Sequence, residues 1–444
     1  MRPLLLSLFV LLNVPGALSA ADWPQWMGPQ RDGIWREPGL ATSLPEGGPC
    51  VVWEAKCGGG YAGPTVAGGR VFLPDRIPAE PGATPPENKD AVPGTERLLC
   101  VDAATGRTLW EYRRNTPSMI SYGAGPRATP TVHNGRVYFL GIHGRFACLD
   151  AESGRVHWEV ELEKQYRCKA PMWGFSAHPV IFRDMVLCTA AGDGSSLIAF
   201  DALTGKERWK AISVREPGYA PPIVCEPGGI PQVVHWTGDA IFGIDPLTGR
   251  QLWEIPWTIK YGVSIAAPRA VDDTVLLSSF WSGSKLLKLQ LSGSAPEVIW
   301  ETERESDTRT THLNALMCTP VITGDHFYGV CSYGQLRGLN WKTGQRYWEN
   351  MDIVGKGKEI RWGTAFLTRI NDTDRYYCFT EHGELLILQL TPEKCEVISR
   401  AKVLEPDCPD VKERPVVWTH PAYAGGRVFV RNNSVIRCLD VSAR

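Results

Sequence analysis

The side chains best suited to hold a ligand recur along this 444-residue chain at intervals rather than in one motif. Tyr61, Arg127, Trp173 with His178, and Tyr219 stand in the first half. Tyr261 with Ser264, Asn314, Arg361 with Trp362, and Trp418 with His420 follow in the second. A guanidinium pairs with carboxylate or phosphate, and aromatic rings stack on flat molecules, so this set brought to one axis would suit an anionic or planar ligand. Taken singly, each such aromatic plugs a channel and each arginine binds loop carbonyls; convergence of the whole set is what would make a binding site. Gly-x-Ser-x-Gly, His-Glu-x-x-His and phosphate-loop patterns are absent. His133, His157, His235, His312 and His326 are scattered without ligand spacing, and His143 and His382 share a hairpin-turn slot with Tyr333 and Asp193. No metal site is expected, and no catalytic residue is assigned.

The elements that must position these residues come from a repeat. Asp-x-x-Thr-Gly-x-x-x-Trp reads Asp102 to Trp110, Asp201 to Trp209 and Asp245 to Trp253; Asp150 to Trp158 has Ser153 for Thr, and Asn340 to Trp348 has Asn for Asp. The Asp positions 102, 150, 201 and 245 are 48, 51 and 44 residues apart. A period of that size means stacked copies of one supersecondary unit. Within the copy from Pro126 to Leu162, short β-branched and aromatic runs alternate with Asn-Gly, His-Gly and Ser-Gly turns, which reads as four antiparallel strands. Four strands per period is a propeller blade. The Asp can cap the following backbone N–H groups, the Gly can take a positive φ, and the Trp buries a flat area where blades must be held together.

Asp245 to Asn340 spans two periods, the first ending at Trp300, and Asn340 to Asp440 spans two more, one lacking its Trp near Leu385 to Val397. That makes eight copies from Asp102 to Asp440. The last copy stops at Arg444 before any Trp, whereas Cys50 to Cys57 supplies a Trp53-Glu strand with no turn motif ahead of it. The expected fold is all-β: an eight-bladed propeller of four-stranded antiparallel blades, closed by the N-terminal strand joining the C-terminal blade. Pro74 to Glu96 reads as an exposed Pro-rich insertion in the first blade.

Arg2, an apolar run from Leu4 to Val14 and small residues from Ala17 to Ala21 form an export signal, so residues 1–21 are expected to be removed and 22–444 to form one domain. A net charge of -1 argues against nucleic acid and anionic membrane surfaces. No transmembrane span is expected in the mature chain, which should be monomeric and periplasmic or envelope-associated. Of thirteen cysteines, Cys100, Cys148 and Cys438 share one repeat slot and Cys188 and Cys331 another, so most are expected to be free core thiols. Cys395 and Cys408 are the one pair to test for a bridge.

The turn motifs, together with the opening Trp23-Pro-Gln-Trp-Met-Gly-Pro-Gln-Arg-Asp-Gly33, resemble the pyrroloquinoline-quinone-like (BamB-like) propeller family of exported bacterial proteins over residues 23–444. The resemblance implies either a quinone-dependent alcohol or sugar dehydrogenase or a scaffold similar to outer-membrane assembly factors. The dehydrogenase branch implies adjacent cysteines, a calcium site and a catalytic Asp; no two cysteines are adjacent here. The scaffold branch implies a lipidated N-terminal Cys, and no Cys follows the signal closely. The expectation is a non-catalytic binding propeller of the cell envelope engaging a protein or saccharide through one face, without cofactor. The alternative is a quinoprotein dehydrogenase with pyrroloquinoline quinone and calcium.

Overall fold

The computed structural model describes residues 22–80, 91–291, 293–302, 308–409 and 414–443; the expected leader, 1–21, lies outside them. Eight four-stranded antiparallel sheets follow one another along the chain. The first blade is Thr65–Ala67, Arg70–Pro78, Gly94–Asp102 and Thr108–Asn115. The eighth is Ala422–Ala424, Arg427–Arg431 and Val435–Asp440, completed by Cys50–Lys56, in which Trp53 lies opposite Cys438. The ring is therefore closed by strands from its two extremities.

What joins blade to blade is an indole. In the turn at Asp102 the carboxylate accepts from the Ala104 and Thr105 N–H groups at 3.1 and 2.8 Å and from the Thr105 hydroxyl at 2.8 Å. Gly106 then takes φ +73°. A Cβ there would come within 2.6 Å of the Trp53 ring, so the bare glycine is the surface on which the preceding blade's indole lies. Trp53 Nε1 also donates to Ala103 O at 3.0 Å. The same pair of contacts recurs with Trp110 on Gly154 and Ala151 O, Trp158 on Gly205 and Ala202 O, Trp209 on Gly249 and Pro246 O, and Trp300 on Gly344 and Trp341 O. Trp253 faces a degenerate turn and reaches it through a relay: its Nε1 donates to Gln232 Oε1 at 2.9 Å, and Gln232 Nε2 donates to Gln290 O at 2.9 Å.

The seventh blade has no tryptophan in its outer strand, Cys395–Lys402, and the lead-in segment takes its place. Leu44 N donates to Ser399 Oγ at 2.8 Å, and Leu40 and Leu44 join the apolar cluster that contains Ala401, Val403 and Leu439. The rest of that lead-in crosses the axial channel, which the sequence pattern did not suggest. Trp23 exchanges backbone hydrogen bonds with Val66, and Val132 N donates to Pro24 O at 2.7 Å. Arg31 Nη1 donates to Pro179 O at 3.2 Å, and Arg269 Nη2 to Asp32 O at 3.0 Å. Ile34–Trp35 adds a fifth, parallel strand to the inner edge of the seventh blade, and the Glu37 carboxylate accepts from Gly425 and Gly426 at 2.8 and 2.9 Å. One segment thus bonds to the innermost parts of the first, second, third, fifth, seventh and eighth blades.

One expectation is corrected, and the one cysteine pair set aside for testing is answered. The insertion expected from Pro74 to Glu96 is narrower, because Pro74 to Pro78 pair with Leu98 to Gly94 in a continuous hairpin. Asp75 and Arg97 face each other across it and form a buried bidentate ion pair at 2.8 and 2.6 Å, so Asp75, expected in the exposed loop, belongs to a satisfied cross-strand pair. The centre of the insertion, 81–90, lies outside the described residues. Cys395 and Cys408 are not bridged, and all thirteen cysteines are free. Cys395 lies opposite Leu390 in the seventh blade, while Cys408 lies in a separate two-stranded ribbon opposite Val416.

Replacing Trp53 or Trp209 by Ala should cost about 3–5 kcal/mol in denaturant unfolding, the range for truncating a buried aromatic. A loss below about 1 kcal/mol would remove the indoles from the role given them here. Deleting residues 50–57 should lower the melting temperature of the whole ring, because it reopens the eighth sheet.

Candidate functional site

Each blade hands the chain to the innermost strand of the next on one face of the ring, and there the connections meet at the axis. They enclose a cavity of about 240 Å³. Five indoles line it, those of Trp26, Trp173, Trp281, Trp362 and Trp418, with Tyr61, Tyr122, Tyr219 and Phe366 between them. The rings brace one another: Trp173 and Tyr219 have centroids 5.4 Å apart, Tyr122 and Trp418 5.8 Å, and Tyr61 and Trp418 6.4 Å. Two of these walls are backbone outliers, with Tyr122 at φ 55° and Trp362 at φ 62°. A bulky residue in the left-handed region costs about 1–3 kcal/mol and persists where the surroundings over-determine it, often at a ligand clamp.

The floor is Trp26 of the lead-in with two histidines. Trp26 stacks on His178 at 4.9 Å and 23° and stands edge-on to His420 at 6.3 Å. Thr129 serves both rings. Its N–H donates to His178 Nδ1 at 2.9 Å, which leaves the ring proton on Nε2, and its hydroxyl lies 2.9 Å from His420 Nε2. Burial holds His420 neutral, with its pKa lowered to about 3. Burial also lowers that of His178, helped by His420 and Arg31. Trp418 is held by Glu381, whose Oε2 accepts from the indole at 2.9 Å and whose Oε1 pairs with Arg414.

Of the residues expected at the channel mouth, Tyr61, Arg127, Trp173, His178, Tyr219, Trp362, Trp418 and His420 line this bowl. Tyr261, Asn314 and Arg361 are not among the lining residues. Tyr261 is 59% exposed and edge-on to Trp281. Asn314 is buried and donates to Phe280 O at 3.0 Å, which shapes the turn that carries Trp281. Arg361 lies outside with its guanidinium 5.0 Å from the Trp362 ring, and Ser264 is buried beside Trp236 O. The convergent pair of arginines expected for an anion is therefore not present. Arg127 donates to the carbonyls of Gly125, Ser121 and Tyr122, each at 2.7 Å, and packs over Tyr61 at 4.9 Å. Trp26, Tyr122, Trp281 and Phe366 were missed. Trp281 sits in a turn between the second and third strands of its blade, a slot outside the inner-strand register; Trp26 belongs to no repeat at all.

Residues 94–350 and 238–443 match the family described as outer membrane protein assembly factor BamB. The chain belongs to this family. BamB of Moranella endobia is 22% identical over 255 residues, covering 55% of this chain and 62% of its own length. The dehydrogenase subunit of a quinone alcohol dehydrogenase from Gluconacetobacter polyoxogenes is 34% identical over 144 residues, covering 28% of this chain and 18% of its own length. The chain thus spans less than two thirds of either curated relative. Among solved structures, a europium-containing methanol dehydrogenase superposes with a TM-score of 0.62 at 12% identity, covering 93% of this chain and 90% of that one, a likeness of fold. Among the described residues no helix is long and apolar enough to cross a membrane.

The histidine floor sets an acid limb to stability. His420 titrates near 6.5 when unfolded but near 3 when folded, so the unfolded chain binds the extra proton in that window and stability falls as pH drops from about 6.5 towards 3. His420→Gln should flatten the fall by about 1.4 kcal/mol per pH unit. Melting curves of both proteins between pH 7 and 4 measure this; parallel curves would show that the ring is protonated in the fold.

Proposed function

We propose that the chain is a non-catalytic binding propeller of the cell envelope that engages a protein or saccharide partner through the face bearing the aromatic bowl. One observation carries the reading: the axial cavity is walled by indoles and phenols, and its one cationic side chain, Arg127, is turned to three backbone carbonyls. Such a surface recognises an uncharged ring or an apolar side chain through flat contact area, with the His178 Nε2–H as a fixed donor at its floor. Membership of the BamB family supports an envelope setting and a protein partner.

The quinone-dehydrogenase reading is favoured by the matched segment of the alcohol dehydrogenase and by the planar walls of the bowl. The lining residues fit that cofactor poorly. Pyrroloquinoline quinone carries three carboxylates, and the bowl offers them no uncommitted cation. Nor do the lining residues include a carboxylate to hold calcium, and among the described residues no group of three His, Cys, Asp or Glu is placed to hold a metal ion.

Trp362→Ala should weaken capture of the partner from envelope extracts by about tenfold or more, the order expected for a central aromatic anchor. The purified protein titrated with pyrroloquinoline quinone and calcium should show neither the bound chromophore nor dye reduction with alcohols or sugars. Stoichiometric quinone binding with turnover would reverse the choice between the two readings.

A further inference from the structure

A second cavity lies on the same face as the bowl, with a volume of about 720 Å³. Its walls are the connections 168–171 and 213–217, the turn 191–193 and Asp239. The two cavities share a partition. Pro171 and Pro217 line the cleft while Trp173 and Tyr219, each two residues further on, line the bowl. Two residues span at most about 7 Å, and the Trp173 and Tyr219 rings are in contact, so the partition is one layer of side chains thick. Met172 crowns it, 61% exposed.

The cleft differs from the bowl in chemistry. Asp193 accepts from Ser213 Oγ at 2.5 Å, and Ser213 Oγ in turn accepts from Gly194 N at 2.8 Å. Asp239 accepts from the backbone N–H groups of Arg215 and Glu216 at 2.6 and 3.3 Å. The Arg215 guanidinium touches Asp239 at 3.4 Å but is 85% exposed, so most of its fork is open to solvent at the cleft wall. Asp239, anchored by backbone donors, and Asp193, held by a hydroxyl, can accept from neighbouring hydroxyls while the guanidinium beside Asp239 donates to them. Lys169 and Arg215 stand against Asp193, Glu216 and Asp239, and this near balance gives a polyanion no field to follow.

We infer that bowl and cleft are consecutive subsites for an uncharged oligosaccharide, with a terminal sugar ring against the indoles and the following rings crossing Met172 into the cleft. This rests on the binding reading above and names its ligand. Apolar sugar faces meet flat aromatic area in the first subsite; hydroxyls meet Asp193, Arg215 and Asp239 in the second.

The test uses glucose, N-acetylglucosamine, and the cello-, malto- and chito-oligosaccharides of two to six units, followed by calorimetry and tryptophan fluorescence. Affinity should rise by about tenfold or more from one ring to four, corresponding to about 1.4 kcal/mol. Arg215→Ala and Asp193→Asn, both at exposed positions, should erase that gain while leaving single-ring affinity and melting temperature unchanged. Length-independent binding, a gain that survives both substitutions, or no binding across the panel each overturns the inference. The first two leave the bowl as a binding site. If the panel fails while a partner from envelope extracts is still lost in Trp362→Ala, the binding reading stands with a different ligand.

Discussion

An indole resting on a carbon without a side chain is the contact on which this ring depends. A propeller blade cannot bury both of its faces alone, and each must be fastened to the next at a fixed angle. Here the Trp ring lies flat on the Gly of the following turn while its N–H finds the carbonyl one residue past the capping Asp. A side chain at that glycine would occupy the space of the ring. The Asp and Thr are needed because they hold the turn that presents both the bare carbon and the carbonyl. Where the turn degenerates, Gln232 carries the hydrogen bond across; where the indole is missing, Leu40 and Leu44 of the lead-in fill its place.

That substitution ties the closure of the ring to the filling of its axis. The stretch that covers the seventh blade continues from the one that bonds to the inner strands and supplies Trp26 to the bowl. Scaffold and site therefore share a component. The bowl owes Trp26 of its floor to a segment outside the repeat, and its histidines and walls to connections whose positions the blades dictate.

The architecture was legible because it is periodic: a turn motif returning every 44 to 51 residues gives a blade count, and two incomplete copies give the closure. Phase within the period also located most of the rings that line the bowl, since Tyr61, Trp173, Tyr219 and Trp418 occupy equivalent approaches to an inner strand. Periodicity says nothing of what falls outside it. Trp26 sits in a lead-in with no repeat partner, and Trp281 enters from a different turn. Nor does residue type reveal commitment: Arg127 reads equally as an anion ligand or as a partner of loop carbonyls, and its three carbonyl bonds decide for the second. Asp75 likewise reads as loop polarity until it faces Arg97 across a hairpin.

Closure by both extremities has a consequence for how the chain reaches its native state. Residues 50–56 find their hydrogen-bonding partners some 380 positions later, at 435–440, so this strand waits unpaired while all the blades between are laid down. Contacts of such sequence separation slow folding. Until they form, the indole of Trp53, buried in the closed ring, is left on an unpaired strand edge open to other chains.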